Sequence, residues 1–173
     1  MTTPARAQLI LQLDEITHNG FLAALNAAAD AAGIPRSFHV AIASRETNCK
    51  QILGDYRGGE AHGVGMTQID IQHDLARTLR DSGAWNTPAG AAQLFAFGAN
   101  MLAANIKAVG DYFEDVTPDE ILQTAAAGYN CGVSRSIQSM QDDGDPDQHT
   151  TGHDYGADVM ARKAVFDSIM GPT

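Results

Sequence analysis

The sequence predicts an α+β domain, predominantly α, with one small β-sheet insertion. Three observations lead there. Helix-start signals recur along the chain, at Pro35, at Thr87-Pro88 and at Thr117-Pro118-Asp119-Glu120, each followed by apolar residues three and four apart. One segment, Gly54 to Gly65, is too rich in glycine for a helix. The chain has 173 residues, 44% of them hydrophobic, enough for one core, and residues 1–173 are read as a single domain.

Taken in order, residues 5–16 and 20–32 read as two helices, the second rich in alanine and closed by Gly33. Pro35 opens a third, which places Phe38, Ile42 and Glu46 on one face. The glycine-rich segment, with Ile52, Val64 and Ile69, suits a small sheet with tight turns. Residues 71–81 return to helical character. Thr87-Pro88, an N-cap followed by proline at N1, opens a long helix to about Val109. Its apolar face is Phe95, Met101, Leu102 and Ile106, and its length marks it as the central helix. Thr117 and Glu120 form a capping box for a helix running to Tyr129-Asn130. A short helix from Ser134 to Met140, a polar loop from Asp142 to Gly152 and a last helix from Asp154 to Ile169 complete the chain.

Composition excludes several function classes. The net charge is −10, and nucleic acid or an anionic membrane surface needs a basic face to meet it. No apolar run approaches the ~20 residues of a membrane span. Met1 to Leu13 shows no sustained apolar core of a secretory signal before Asp14 and Glu15. The acidity weakens attraction to anionic polymers, whereas a neutral polysaccharide feels no repulsion.

Glu46 is the residue on which the chemistry turns. It continues an apolar stripe and lies near a helix C-terminus, where the macrodipole disfavours negative charge. Both effects raise a carboxyl pKa. A carboxylic acid still protonated near neutral pH can give its proton to a leaving oxygen. The bland alternative is a buried glutamate paired with Arg45 or Arg36.

Three blocks of sequence carry a resemblance. Ser44-Arg45-Glu46-Thr47, followed by the glycine-rich segment and Gly65-Met66-Thr67-Gln68-Ile69-Asp70, is similar to Ser-Arg-Glu-Ser and Gly-Leu-Met-Gln-Val-Asp of the goose-type lysozyme and soluble lytic transglycosylase superfamily. Gly128-Tyr129-Asn130-Cys131-Gly132 resembles that superfamily's Ala-Tyr-Asn-Ala-Gly, and His153 to Arg162 looks like its last helix. Together the blocks cover most of residues 36–166, in the right order.

The resemblance implies a lysozyme-like fold and cleavage of β-1,4 bonds in peptidoglycan, with chitin as the second substrate. Glu46 is then the general acid. Asp70 matches the family's aspartate and helps to place the attacking water. The second aspartate of the pattern falls on Gly59, so Asp55 and Glu60 are its neighbouring candidates. Glu60, Gln68, Tyr129 and Asn130 are expected beside the substrate, and Tyr155 there too, near Glu46. Asp70 is also placed to cap the helix that follows it. Inverting hydrolysis needs a second carboxylate ~6.5–9.5 Å from the acid, across the sugar. Without it the 6-hydroxyl of N-acetylmuramic acid attacks internally, the transglycosylase outcome; Asp70 and Asp55 tilt the reading towards hydrolysis. The alternative of another class is a non-catalytic glycan-binding domain. No cofactor is expected, since acid–base chemistry suffices, and the implied state is a monomer acting outside the cell or on its wall, by signal-independent export, phage-type release or loss of a leader.

Cys49 follows Glu46 by three residues and Cys131 follows Asn130, so both are expected beside one cleft and in contact, as a disulfide or as two thiols. Asp143-Gly144-Asp145-Pro146-Asp147 mimics the start of a calcium loop but has Gln148 at the sixth position, where glycine belongs, and no terminal glutamate. It reads as a solvated acidic loop, and no metal site is expected.

Overall fold

The computed structural model describes residues 3–171; residues 1–2 and 172–173, the ends of the expected domain, lie outside the described residues. Helices α1 (Arg6–His18), α2 (Phe21–Ala32) and α3 (Arg36–Thr47) precede a three-stranded antiparallel sheet of β1 (Leu53–Arg57), β2 (Glu60–Val64) and β3 (Ile69–Asp70). Helices α4 (Asp74–Asp81), α5 (Pro88–Tyr112), α6 (Pro118–Cys131), α7 (Val133–Asp143) and α8 (Tyr155–Met170) follow, with a short 3₁₀ turn, Ala84–Asn86, before α5. The fold is predominantly helical with a small β insertion, as the sequence predicts. No described helix is long and apolar enough to cross a membrane.

Local signals explain the helix starts. Thr87 Oγ1 accepts the Gly90 N–H at 3.1 Å, with Pro88 at N1. Thr117 Oγ1 accepts the Glu120 N–H at 3.3 Å, while Glu120 Oε2 accepts the Thr117 N–H at 2.7 Å, closing the capping box. Asp70, by contrast, does not cap α4. The cap position is His73, and Asp70 Oδ1 instead accepts the Gln72 N–H at 2.8 Å in the turn between β3 and α4.

The central helix is α3 rather than the long α5. Eight consecutive residues, Ser37 to Ser44, are buried, whereas α5 buries one face only, along Ala91, Leu94, Phe95, Ala99 and Leu102. Length does not decide centrality; α3 is covered all round because α2, α5 and α8 pack about it, in one apolar cluster that includes Phe38, Ile42, Phe95, Val159 and Phe166. A smaller cluster of Val64, Ile69, Ala76, Leu79 and Leu94 joins the sheet to α4 and α5. Tyr129 packs against both clusters, and the open groove between them is where the site lies.

The hairpin of β1 and β2 turns at Gly58-Gly59, with φ of 59° and 87°. Two consecutive positive φ values make a tight turn whose twist matches the strands it joins. Within the hairpin Gly54 faces Gly63, and Gly63 faces Asp70 on β3. Both glycines make room for one side chain. A Cβ on either would lie 2.2 Å from Gln68 Oε1, so the Gln68 amide can lie across the strands only because they carry no side chain there.

Candidate active site

Helix α3 ends in a left-handed turn at Asn48 (φ 54°) and Cys49 (φ 62°), with the Cys49 N–H bonded to the Ala43 carbonyl at 3.1 Å. The turn sends the chain into the sheet, so Glu46 at the end of α3 faces the strands. Three successive residues of α3 grip α8. Ser44 Oγ accepts from Arg162 Nη1 at 2.8 Å. Arg45 reaches Asp154 at 2.8 Å and Asp158 at 3.3 Å, and its guanidinium lies 5.2 Å from the Tyr155 ring centre. Glu46 Oε1 accepts the phenolic hydrogen of Tyr155. Behind them Asp158 and Arg162, 3% and 2% exposed, form a buried ion pair at 2.8 Å. Arg36 pairs with Asp30 instead, at 2.7 Å, while the Arg45 charge acts on Glu46 electrostatically.

Glu46, Asp55, Gln68, Asp70, Tyr129 and Asn130 line one cleft of about 360 Å³. Arg57, Gln72, His73, Met101 and Thr151 complete most of its wall. Glu46 is half-buried, with one edge on the cleft. Loss of hydration raises its pKa from the usual 4.5 to about 7; the Tyr155 hydroxyl and the Arg45 charge oppose that shift, and the charge of Asp55 adds to it. Tyr129 donates to the Thr67 carbonyl at 2.8 Å, holding the end of α6 against the approach to β3. Asn130 Oδ1 accepts the Thr151 N–H at 2.9 Å, drawing the loop before α8 to the cleft rim. Gln68 Nε2 donates to the Gly65 and Ile52 carbonyls at 2.7 and 3.2 Å, so this residue braces the hairpin at the cleft.

Asp55 has φ 47° and its carboxylate pairs with Arg57 at 2.5 Å. Glu60 stands elsewhere. It lies outside the cleft lining, 58% exposed, and pairs with Arg80 of α4 at 2.8 Å. The tight turn starts β2 at Glu60 and hands its carboxylate to α4. Both cysteines are free thiols. Cys49 is 2% exposed in the main core, where burial pushes its thiol up to about 12. Cys131 is half-buried and contacts the Gly132 carbonyl through sulfur at 3.8 Å. Of the two states left open by the sequence, the structure has the two thiols.

The acidic loop also differs from expectation. Asp147 is 2% exposed. Its oxygens accept the Gly156 N–H at 2.6 Å and the Ala157 N–H at 2.9 Å, satisfying the first turn of α8 from a residue outside the helix. Among the described residues no group of three His, Cys, Asp or Glu side chains is disposed to hold a metal.

Arg57 and His73 are cleft residues that sequence reasoning missed. Arg57 is two residues from Asp55 on one strand, a period-2 signal available in the sequence. His73 carries no such signal; it reaches the cleft because its ring packs on Phe97 of α5, 4.9 Å between centres.

A carboxyl with a raised pKa and two further carboxylates thus share one groove, shaped by α3, all three strands, α5, α6 and the loop before α8. The family model for Lysozyme g matches residues 6–169. Lysozyme g of Cyprinus carpio is 30% identical over 128 residues, covering 74% of this chain and 62% of the relative. Lysozyme g of Struthio camelus is 30% identical over 127 residues, covering 72% and 55% respectively. The match to Lysozyme g of Takifugu rubripes is 29% over 133 residues, 75% of this chain and 65% of that one. The chain thus matches between 55% and 65% of the length of these relatives. With the matched region running from the start of α1 into the last turn of α8, through every segment that builds the cleft, the chain belongs to the goose-type lysozyme family.

Proposed function

We propose that the cleft cleaves β-1,4 glycosidic bonds in peptidoglycan by acid-catalysed, inverting hydrolysis, acting outside the cell or on its wall as a monomer. One observation carries this reading: Glu46, with its pKa raised to about 7, shares a groove with Asp55 and Asp70. An acid that keeps its proton to neutral pH serves a leaving oxygen. Carboxyl groups that share its groove serve a water molecule.

Each group has a task. Glu46 protonates the glycosidic oxygen, and Tyr155 holds the carboxyl in one orientation. Asp70 and Asp55 orient and activate the water that attacks the anomeric carbon. The bond from the anomeric carbon to the leaving oxygen breaks as the bond to water oxygen forms, and the water's second proton passes to the carboxylate that held it. Gln68, Tyr129 and Asn130 give the groove its polar walls.

Glu46→Gln tests the assignment. Removing a general acid costs roughly 10²–10⁴ in rate, and the amide keeps the shape. The variant is expected to lose cleavage of purified cell walls at that scale; a near wild-type rate would remove Glu46 from the mechanism. Mass spectra of the products separate hydrolysis from internal attack, since anhydro ends are lighter by one water. Chitin oligomers run in parallel decide between the two polymers.

A further inference from the structure

Arg45 and Glu46 are neighbours on α3, and neighbours on a helix point in different directions. Glu46 reaches the cleft, and Arg45 reaches α8. The two meet again at Tyr155, whose ring lies beside the Arg45 guanidinium and whose hydroxyl donates to Glu46. We infer that Asp158, with Asp154 one turn before it, is a positioning residue that fixes the Arg45 guanidinium on α8 and so limits the hold of that positive charge on the acid; this rests on the glycosidase reading of the cleft.

Asp158 is itself immobile. Its Oδ2 meets Arg162 Nε at 2.8 Å and Arg45 Nε at 3.3 Å, and its Oδ1 accepts the Thr3 hydroxyl at 2.5 Å. Arg162 is tied in turn to Ser44, through its carbonyl at 3.1 Å and its hydroxyl at 2.8 Å. Asp154 takes another nitrogen of Arg45, Nη2, at 2.8 Å. Two carboxylates one helical turn apart thus hold two nitrogens of one planar guanidinium, and the same plane lies 5.2 Å from the Tyr155 ring centre. A lysine ammonium, a point charge, could not make this set of contacts.

The charges explain why this hold matters to Glu46. Arg45 and Arg162 are always cationic, and the charges of Asp154 and Asp158 balance them. Both arginine side chains are buried, so a positive charge left over there is costly and draws on any carboxyl nearby. Glu46 is that carboxyl, joined to Arg45 through Tyr155. Taking the charge from Asp158 turns the surplus onto Glu46 and favours its ionised form. With Asp158 in place, Glu46 keeps the proton that a leaving oxygen needs.

Other groups face Glu46. Tyr129 of α6 and Glu46 act on each other through their charges, and Asp55 of β1 raises Glu46. Asp70, Arg57 and His73 line the same cleft, with Arg57 paired to Asp55. These stay in place when Asp158 is altered, so a shift on that substitution reports on the arginines of the α3–α8 contact.

The test reads the Glu46 side-chain carboxyl by carbon-13 NMR titration of the full chain, alongside the alkaline limb of kcat/KM on purified cell walls. In wild type both midpoints are expected at about 7. Asp158→Asn keeps one oxygen for Arg162 but removes the charge, and both midpoints should move down by about one pH unit. Arg45→Gln should move them up. Asp158→Asn added to Arg45→Gln should produce less than half of the shift it causes alone, since only Arg162 then remains. Asp154→Asn, at a partly exposed position, should move them down by less, and it takes over the decision if Asp158→Asn does not fold. A midpoint that stays put or rises in the deciding variant, with stability alone reduced, overturns the inference. An Asp158→Asn shift that is as large without Arg45 overturns it as well. If Glu46→Gln still cleaves cell walls, the glycosidase reading fails while the NMR titration continues to report on Arg45 and the aspartates that hold it.

Discussion

Tyr155, the first residue of α8, donates its phenolic hydrogen to Glu46, one residue from the end of α3. The phenol is 3% exposed and buried beside the Arg45 guanidinium. Its helix start is held in turn by Asp147. The orientation of the candidate acid is thus set by a loop and a helix about a hundred residues further along the chain.

This contact opposes the desolvation that raises Glu46, because it favours the ionised carboxylate. Tyr155→Phe is therefore expected to raise the Glu46 pKa above about 7. The alkaline limb of a kcat/KM profile should move to higher pH, by about one unit. A limb that stays put or moves down would mean that Tyr155 does not act on the acid.

Glu46 also has a cost in stability. Its pKa is about 7 in the folded chain against 4.5 for the free group. The folded state therefore holds the proton more tightly, and stability is complete below about 4.5 and declines as pH rises through 7. Glu46→Gln should unfold at a higher temperature than wild type at pH 8 and at a similar one at pH 4. The difference is on the order of 1–3 kcal/mol, allowing for the edge of the side chain that meets solvent. Calorimetry of both proteins at the two pH values checks it.

His39 has the opposite chemistry. It is fully buried, its Nδ1 lies 3.1 Å from the Leu25 carbonyl, and Nε2 has no hydrogen-bond partner among the described residues. Burial lowers its pKa from 6.5 to about 4. Above 6.5 the imidazole is neutral in both states; as pH falls towards 4 the unfolded chain gains a proton that the folded one refuses. The wild type should lose roughly 1.4 kcal/mol per pH unit through this group across that window. Urea unfolding from pH 7 to 4.5 should show a shallower decline for His39→Gln; an unchanged decline would mean that the surroundings of Nε2 admit the charge.

Gly54, Gly63 and Gln68 form a test of packing. A Cβ on Gly63 would overlap Gln68 Oε1 at 2.2 Å. Gly63→Ala should cost about 1–3 kcal/mol and displace Gln68 from the cleft. Gln68→Ala in the same chain should restore part of that stability, because the atom that clashes is gone. A double-mutant cycle by denaturant unfolding measures the coupling, and strictly additive effects would show that the clash is relieved elsewhere.

Much of the fold was legible because its signals are local. The two proline-led helices and the capping box at Thr117 are short-range patterns, and the structure places them as read. The same holds for Glu46, whose face follows from helical spacing to Phe38 and Ile42. The misreadings concern partners distant in sequence. Glu60 was a neighbour of the right position, but a tight turn and Arg80 take its carboxylate. Asp147 looked like a solvated loop residue until α8 folded onto it. Whether Cys49 and Cys131 are bonded was left open by the sequence; they are free thiols, one in the core and one beside Gly132.

The amino-acid sequence by itself determined the helices, the β insertion, the oddly placed carboxylate and the family pattern around it, since each depends on residues within a few turns of one another. Tertiary structure alone decided which helix is central, which side chains meet Glu46, and that Asp55 is held by Arg57 while Glu60 is not in the cleft. Those outcomes depend on how α8 and the hairpin pack against α3, and packing of distant segments sets both the desolvation that raises Glu46 and the hydrogen bond that restrains it.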